Sequence, residues 1–444
     1  MSRTVSFATL GCRLNLVDTQ ALQGELEARG FRTVPFDEPA DVVVVNSCTV
    51  TARAELSDRQ MIRRAGRVSP AARVVVTGCW AQTDPAAAAA VGGVDLVVGN
   101  GDKRRLPELL GDLLMTPVRT GRARVHVSNI GEARTLLPSP LGRISGRSRA
   151  FLKVQEGCQH RCAFCIVPRA RGASRSLAPE TLLDQVRLLV EAGHAEIVLT
   201  GVDLGHYGAD LVPRATLAGL LRRIVEIPGL RWARLSSLLP AYFTPELTEL
   251  VSTSPRIAPH LHIPLQSGSD RILRSMRRPY TRAMYRRLVE RLAGAIPSLG
   301  LGADVIVGFP GETDGEFADT VGLVDELPFS YLHVFPYSDR RGTEATRLPG
   351  RVDARTAATR SRLLRERSRA KSLAFRSRLL GSLQEALVLD TPDRRTGGLT
   401  GLTGNYVEVV FPGPAALARH VTRVRVTAIE GERTHGELAG SAAV

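Results

Sequence analysis

The chain has 444 residues, enough for two or three domains that each bury a core. Its 43% hydrophobic and 23% charged residues are ordinary for a soluble globular protein, and no apolar run approaches the length of a membrane span. The formal charge is +15, from 59 basic and 44 acidic residues, and a surplus of that size points to a polyanionic partner, most simply nucleic acid.

Only Lys103, Lys153 and Lys371 are lysines; a GC-rich genome accounts for the preference for arginine but not for the excess of basic over acidic residues. MSRTVSFATLGC passes directly into a strand-like segment without a secretory pattern, so the chain reads as cytoplasmic. Six cysteines in that compartment point to metal or redox chemistry rather than to a disulfide framework.

Along the first part, apolar runs at 4–10, 41–46, 73–78 and 95–100 alternate with helix-like stretches such as 17–30, which ends on Gly30. Continuous β-branched runs of this kind predict a parallel sheet covered on both faces. Cys12, Cys48 and Cys79 each follow one of these strands. They therefore fall at the sheet's carboxyl edge, where open α/β sheets bind ligands. Three unrelated buried thiols would not share that placement.

Residues 118–147 are rich in Arg, Gly, Ser and Pro and read as a basic linker, either solvated or touching nucleic acid. A second series follows, with strands expected at 151–155, 196–201, 232–237, 261–266, 303–308 and 331–336 and helices between them. Six strand–helix repeats predict an incomplete parallel barrel with its active groups at the strands' carboxyl ends. An arginine-studded helix is expected over 353–380. The tail, with period-2 alternation in HVTRVRV, reads as a small β-barrel that either binds RNA or caps the structure.

The segment EGCQHRCAFCIVPRARG, 156–172, lies in the loop after the first barrel strand and carries Cys158, Cys162 and Cys165 spaced C-x3-C-x2-C. A structural zinc site needs a fourth Cys or His, and His160 sits inside the loop rather than at the spacing of a zinc ribbon. The reading we favour is a 4Fe–4S cluster held by three thiolates, with one iron left to bind a small molecule and Phe164 shielding it.

With the aromatic Phe164 before its last cysteine, this loop resembles the signature of radical S-adenosylmethionine (SAM) enzymes. TLGCRLN, VVVNSCTVT and VVVTGCWAQ resemble the amino-terminal domain of the methylthiotransferases, HIPLQSGSD and DVIVGFPGET their barrel, and the tail their TRAM domain. Within that family, FLKVQEGCQHRCAFCIVPRARG, EIVLTGVDLGHYGADL and LHVFPYSDRRGT are most similar to the branch acting on threonylcarbamoyladenosine in tRNA.

The resemblance implies an α/β fold with a parallel-sheet domain over 1–117, the linker over 118–147, a partial (β/α)6 radical SAM barrel over 148–378 and a TRAM-like β-barrel over 379–440. It implies two 4Fe–4S clusters, one on Cys158, Cys162 and Cys165 that binds and cleaves SAM, and one on Cys12, Cys48 and Cys79 associated with sulfur insertion. A radical made from SAM would abstract hydrogen from carbon 2 of the adenine ring, and a second SAM would supply the methyl group. Phe164, Ser236, Gln266, Ser267 and Asp304 are the candidate SAM contacts, and tRNA and a reducing electron donor the implied partners. A monomer is compatible with the sequence.

Arg169 and Arg171 are candidates for the SAM carboxylate or RNA phosphate, and His194, His206, His260, His262 and His333 read as structural. The chain departs from its relatives at RLSSLLP, where Leu239 stands in place of a glutamate. Two alternatives stay open: methylthiolation of isopentenyladenosine or of a ribosomal protein, and a non-catalytic iron–sulfur RNA-binding protein.

Overall fold

The computed structural model describes residues 2–115, 121–136, 138 and 148–439. By its internal contacts the chain divides into two compact units. One comprises Met1–Ile144, Gln155–Leu177 and Ser338–Thr346, the other Ser145–Val154, Ala178–Tyr337 and Arg347–Val444.

The first unit is built on a six-stranded parallel sheet of β1 (Thr4–Thr9), β2 (Arg32–Thr33), β3 (Val42–Ser47), β4 (Arg73–Gly78), β5 (Val94–Val98) and β6 (Arg124–His126), in the order β2-β1-β3-β4-β5-β6. Helices α1 (Arg13–Ala28), α2 (Ala52–Val68), α3 (Cys79–Thr83), α4 (Pro85–Ala89) and α5 (Leu106–Leu114) connect the strands.

Successive side chains of a strand point to opposite faces, and here both faces are dry. Val43, Val45, Val74 and Val76 pack with Ile62 of α2 and Trp80 of α3. Val42, Val44, Val75 and Leu96 pack with Leu22 and Leu26 of α1 and Leu110 of α5. Each fully buried valine contributes about 1.5–3 kcal/mol, which is why four consecutive valines hold the central strand. Arg124–His126 falls within the stretch read as a linker; it is a polar edge strand whose charge hid it.

After β7 (Arg149–Lys153), an antiparallel pair, β8 (Gln155–Glu156) and β9 (Arg175–Ser176), belongs to the first unit and brackets the three-cysteine loop and α6 (Val167–Arg171). The second unit continues with α7 (Pro179–Glu191), β10 (Glu196–Thr200), α8 (Leu217–Val225), β11 (Trp232–Leu235), α9 (Pro245–Thr253), β12 (His260–His262), α10 (Asp270–Ser275), α11 (Arg282–Ala295), β13 (Gly300–Val307), α12 (Asp314–Glu326), β14 (Tyr331–Pro336) and α13 (Ala354–Ser377).

The six strands β7 and β10 to β14 of this unit are all parallel, but they form two three-stranded sheets, β7-β10-β11 and β12-β13-β14, joined by a bridge between Ala233 and Ile257. The partial barrel is thus split at its middle. β12 is shorter than the 261–266 expected, although Ile263 and Leu265 N–H still donate to the Gly302 and Asp304 carbonyls of β13 at 2.9 and 3.1 Å. A bridge between Gln266 and Val305 follows.

The tail closes a five-stranded barrel of β15 (Leu383–Val388), β16 (Leu399–Thr403), β17 (Glu408–Phe411), β18 (Val421–Glu430) and β19 (Arg433–Leu438). Its turn Gly404–Asn405–Tyr406 seats at the amino ends of the parallel strands. A Cβ on Gly300, the first residue of β13, would lie 2.1 Å from the Asn405 carbonyl, and Tyr406 stacks on His260, the first residue of β12, at 4.3 Å. Among the described residues no helix is long and apolar enough to cross a membrane.

Candidate functional site

β1, β3 and β4 are neighbours in one parallel sheet, so their carboxyl ends lie about 4.8 Å apart in sequence of strands. Cys12 is the N-cap of α1, Cys48 follows the last residue of β3, and Cys79 is the first residue of α3. The expected convergence of three thiols at one edge is present.

Two glycines permit it. Gly11 and Gly78 have φ of +93° and +101°, a conformation that side chains rarely adopt. A Cβ on Gly11 would sit 2.8 Å from Cys48 Sγ, and one on Gly78 would sit 2.4 Å from the Ser47 carbonyl. The Gly–Cys pairs at 11–12 and 78–79 therefore let the loops close on Cys48.

Asn15, one helical turn beyond Cys12, ties the three loops together. Its Nδ2 donates to the Leu10 and Ser47 carbonyls at 2.7 and 2.9 Å, and its Oδ1 accepts from the Cys79 thiol at 3.9 Å and from Arg171 Nη2 at 2.5 Å. Asn100 Nδ2 approaches Cys79 Sγ at 3.7 Å and donates to the Ala170 carbonyl at 2.7 Å. Sequence reasoning missed both asparagines; the signal for Asn15 was its place in LGCRLN, three residues after the cysteine.

Arg171 was expected at SAM or phosphate. Instead it is 3% exposed, with Nη1 on Glu156 at 2.5 Å and Nη2 3.3 Å from Asp18, which also pairs with Lys103 at 2.6 Å. Burial opposes its charge, but Cys79, Glu156 and Asp18 outweigh it and hold the guanidinium protonated well above its ordinary value. Burial pushes the Cys48 thiol up to about 12, and its neighbours Cys79 and Cys12 add to the shift. Left to itself Cys48 is an inert thiol; a centre that displaces its proton makes it a ligand.

The second trio lies in the loop between β8 and β9. Cys158 N–H donates to the Gly172 carbonyl at 3.0 Å, His160 N–H meets Cys158 Sγ at 3.4 Å, and Cys165 N–H closes a turn on the Cys162 carbonyl at 3.1 Å. The Ala163 carbonyl accepts from Ala345 N–H at 2.8 Å. All three cysteines and Phe164 are half-buried, and all six cysteines are free of disulfides. Exposed Arg169 donates to the Arg341 carbonyl at 3.4 Å.

In the second unit, Ser236 is half-buried just beyond β11, and Gln266 is buried with φ +66° and Oε1 unpartnered among the described residues. Ser267 is wholly buried, with its hydroxyl 3.4 Å from Thr320 Oγ1 and accepting from Ser269 N–H at 3.2 Å. Asp304 Oδ1 is committed to two imidazoles, His262 Nε2 at 3.1 Å and His333 Nδ1 at 3.3 Å. Reading those histidines as merely structural, for want of ligand spacing, missed this triad. Strand pairing unites them, and their separation in sequence carries no signal of it. Leu239 is half-buried before the turn Pro240–Tyr242.

Residues 152–324 match the radical SAM superfamily and residues 4–99 the family described as uncharacterized protein family UPF0004. The fold is like that of a solved radical SAM methyltransferase, TsrM from Kitasatospora setae, with a TM-score of 0.55 and 18% identity over 76% of this chain and 75% of that one. The class is therefore that of the radical SAM proteins.

The threonylcarbamoyladenosine tRNA methylthiotransferase of Bacillus subtilis (strain 168) is 40% identical, over 95% of this chain and 93% of the relative. The enzyme of that name from Aquifex aeolicus (strain VF5) is 40% identical over 92% and 97%. The tRNA-2-methylthio-N6-dimethylallyladenosine synthase of Moorella thermoacetica is 34% identical over 98% of each. The chain belongs to the radical SAM methylthiotransferase family. It is a transferase of that family, which works with SAM and 4Fe–4S clusters.

The donor sets fit such cofactors. Cubane clusters take thiolates; here three thiols converge at one sheet edge, two of them buried, with the cations Arg171 and Lys103 buried beside them. Three more are gathered in the loop bracketed by β8 and β9.

Proposed function

We propose that the chain adds a methylthio group to carbon 2 of N6-threonylcarbamoyladenosine in tRNA, in the cytoplasm. The observation that carries this reading is the 40% identity over nearly the whole of two curated threonylcarbamoyladenosine enzymes, against 34% for the dimethylallyladenosine relative. The +15 charge suits a polyanionic substrate.

Cys158, Cys162 and Cys165 would hold the cluster that binds SAM, and Cys12, Cys48 and Cys79 the second. When bound, the clusters and SAM supply the radical chemistry and the sulfur and methyl groups, drawing electrons from an external reducing partner. The chain's share is to hold and shield. Gly11 and Gly78 let Cys12 and Cys79 close on Cys48, and Asn15 fixes their loops. Arg171 and Lys103 balance negative charge gathered at the thiolates. Phe164, half-buried beside Cys165, would shield the cluster there. Phe164, Ser236, Gln266 and Ser267 are the contacts we assign to SAM; Ser267 would act through its backbone, since its hydroxyl is spent on Thr320 and Ser269. Asp304 we assign instead to the imidazoles it binds.

Mass spectrometry of tRNA nucleosides from a deletion strain tests the reading. The expected result is loss of the methylthio mark on threonylcarbamoyladenosine alone, restored by the gene. Loss from dimethylallyladenosine instead, or an unchanged profile, would overturn it.

A further inference from the structure

The sheet β12-β13-β14 has two unlike faces. On β14, Leu332 and Val334 are buried, and their backbone groups bond to Ser368 and Arg365 of α13. Tyr331, His333 and Phe335 alternate to the opposite side. There the His333 side chain is 56% exposed and Phe335 is 42% exposed.

On that side Asp304 stands in register with His333. Its Oδ1 accepts from His333 Nδ1 at 3.3 Å and from His262 Nε2 at 3.1 Å, while His262 Nδ1 meets the Tyr331 hydroxyl at 3.0 Å. Gly302, between His262 and Tyr331 in the pairing, makes room for the ring: a Cβ there would lie 2.1 Å from it. Burial raises the Asp304 carboxyl, but the hydrogen bonds from His262 and His333 outweigh it and hold the group well below its ordinary range.

The consequence is an oriented imidazole. With Nδ1 fixed on Asp304, His333 presents Nε2 to the open side, and a second proton there makes a cation that Asp304 balances. Beside it the Phe335 ring stands edge-on at 6.4 Å. An exposed phenyl is a stacking platform for a base, and an imidazolium one residue pair further along is a donor for an anion. A buried structural pair would expose neither.

We infer that His333, held by Asp304, is a specificity-determining residue that donates from Nε2 to the carboxylate of the threonylcarbamoyl arm while the adenine stacks on Phe335. A dimethylallyl arm offers that donor nothing. The inference rests on the threonylcarbamoyladenosine reading above.

The test compares two anticodon stem–loops with the cluster-loaded full chain, one bearing threonylcarbamoyladenosine and the other its carboxylate methyl ester. The wild type is expected to favour the acid by about tenfold or more in KM, the worth of a charge-assisted hydrogen bond. His333→Ala should raise KM for the acid to that of the ester with kcat within about twofold. His333→Lys should recover part of the preference. Iron content and thermal unfolding at wild-type values establish that the variants fold. If the wild type uses the acid and His333→Ala keeps the full preference, the inference is overturned while the substrate reading stands. If the wild type ignores both RNAs and modifies the dimethylallyl form, the substrate reading itself fails. One equivalent of zinc lost from the protein with Asp304→Asn would overturn the inference in favour of an ion held by the triad.

Discussion

Arg171 donates to Asn15 at 2.5 Å, a contact that joins the helix after the three-cysteine loop to the helix that begins at Cys12. The other guanidinium nitrogen lies 2.5 Å from Glu156, at the start of the same loop. One buried cation thus fixes both ends of the Cys158–Cys165 segment against the edge where Cys12, Cys48 and Cys79 meet.

Arg171→Met would take from buried Glu156 the guanidinium that contacts it at 2.5 Å, whereas Asp18 would keep Lys103. The expected loss is about 3–5 kcal/mol, the cost of breaking a buried pair from one side. It would be read as a lower urea midpoint for the first unit. Arg171→Lys should recover only part of it, because an ammonium cannot reach Glu156 and Asn15 as a fork does. A midpoint unchanged in Arg171→Met would mean that the pair carries no net stability.

The two thiol trios should separate in substitution. Cys162→Ala is expected to lower iron from about eight to about four per chain and to abolish SAM cleavage. Cys48→Ala should lose a similar amount of iron, retain part of the SAM cleavage and make no methylthio product. Full product from Cys48→Ala would remove Cys48 from the second cluster.

What the sequence made legible is what burial on both faces writes into it. Val42–Val45 read as a central strand because no polar residue survives there, and the cysteines could be placed because each follows such a run. Arg32–Thr33 and Arg124–His126 were illegible because edge strands need no apolar pattern. In the tail, three of the five residues of Leu399–Thr403 are Gly or Thr, and its strand character comes from barrel closure. Asp304 was singled out from its motif as a SAM contact, and its two imidazole partners were not foreseen. Asp304 and His333 are paired across β13 and β14, while His262, opposite Gly302, reaches Asp304 from the adjacent row, and no local spacing encodes that. Arg171 looked like one more surface arginine; its burial is decided by Glu156, Asn15 and Asp18, which a linear reading cannot bring together.

Glu316 makes stability depend on pH. It closes the capping box of α12 with Thr313 and binds Arg271, and the Arg271 hydrogen bond foremost lowers its carboxyl from 4.5 to about 2. A carboxyl whose pKa is lower folded than unfolded stabilises the fold above its unfolded value and loses that contribution as pH falls through the folded one. Arg271 is 54% exposed, so screening reduces the effect to about 1–2 kcal/mol. Glu316→Gln should therefore be less stable than wild type near pH 6, with the gap narrowing between 4.5 and about 2. A gap constant across that window in urea titrations would refute the assignment.

Tyr406 makes the tail part of the parallel unit rather than an appendage. Its ring stacks on His260 and lies 5.2 and 5.8 Å from the guanidinium carbons of Arg234 and Arg149. Arg234 is wholly buried, holds Glu196 at 2.8 and 2.9 Å, and donates to the carbonyls of Gly404 and Thr403 at 2.9 and 3.3 Å. Trp232 and Ala258 share a core with Leu387 of the tail barrel. Ending the chain at Gly381 would remove both carbonyls, expose that core and take away two of the four hydrogen bonds of buried Arg234. The truncated chain is expected not to fold cooperatively, and Tyr406→Ala to cost about 2–3 kcal/mol, at the lower end for an aromatic because the ring is only half-buried. Calorimetry decides the matter: a truncated chain melting at the wild-type temperature would mean that the turn at 404–406 merely rests on the strand ends.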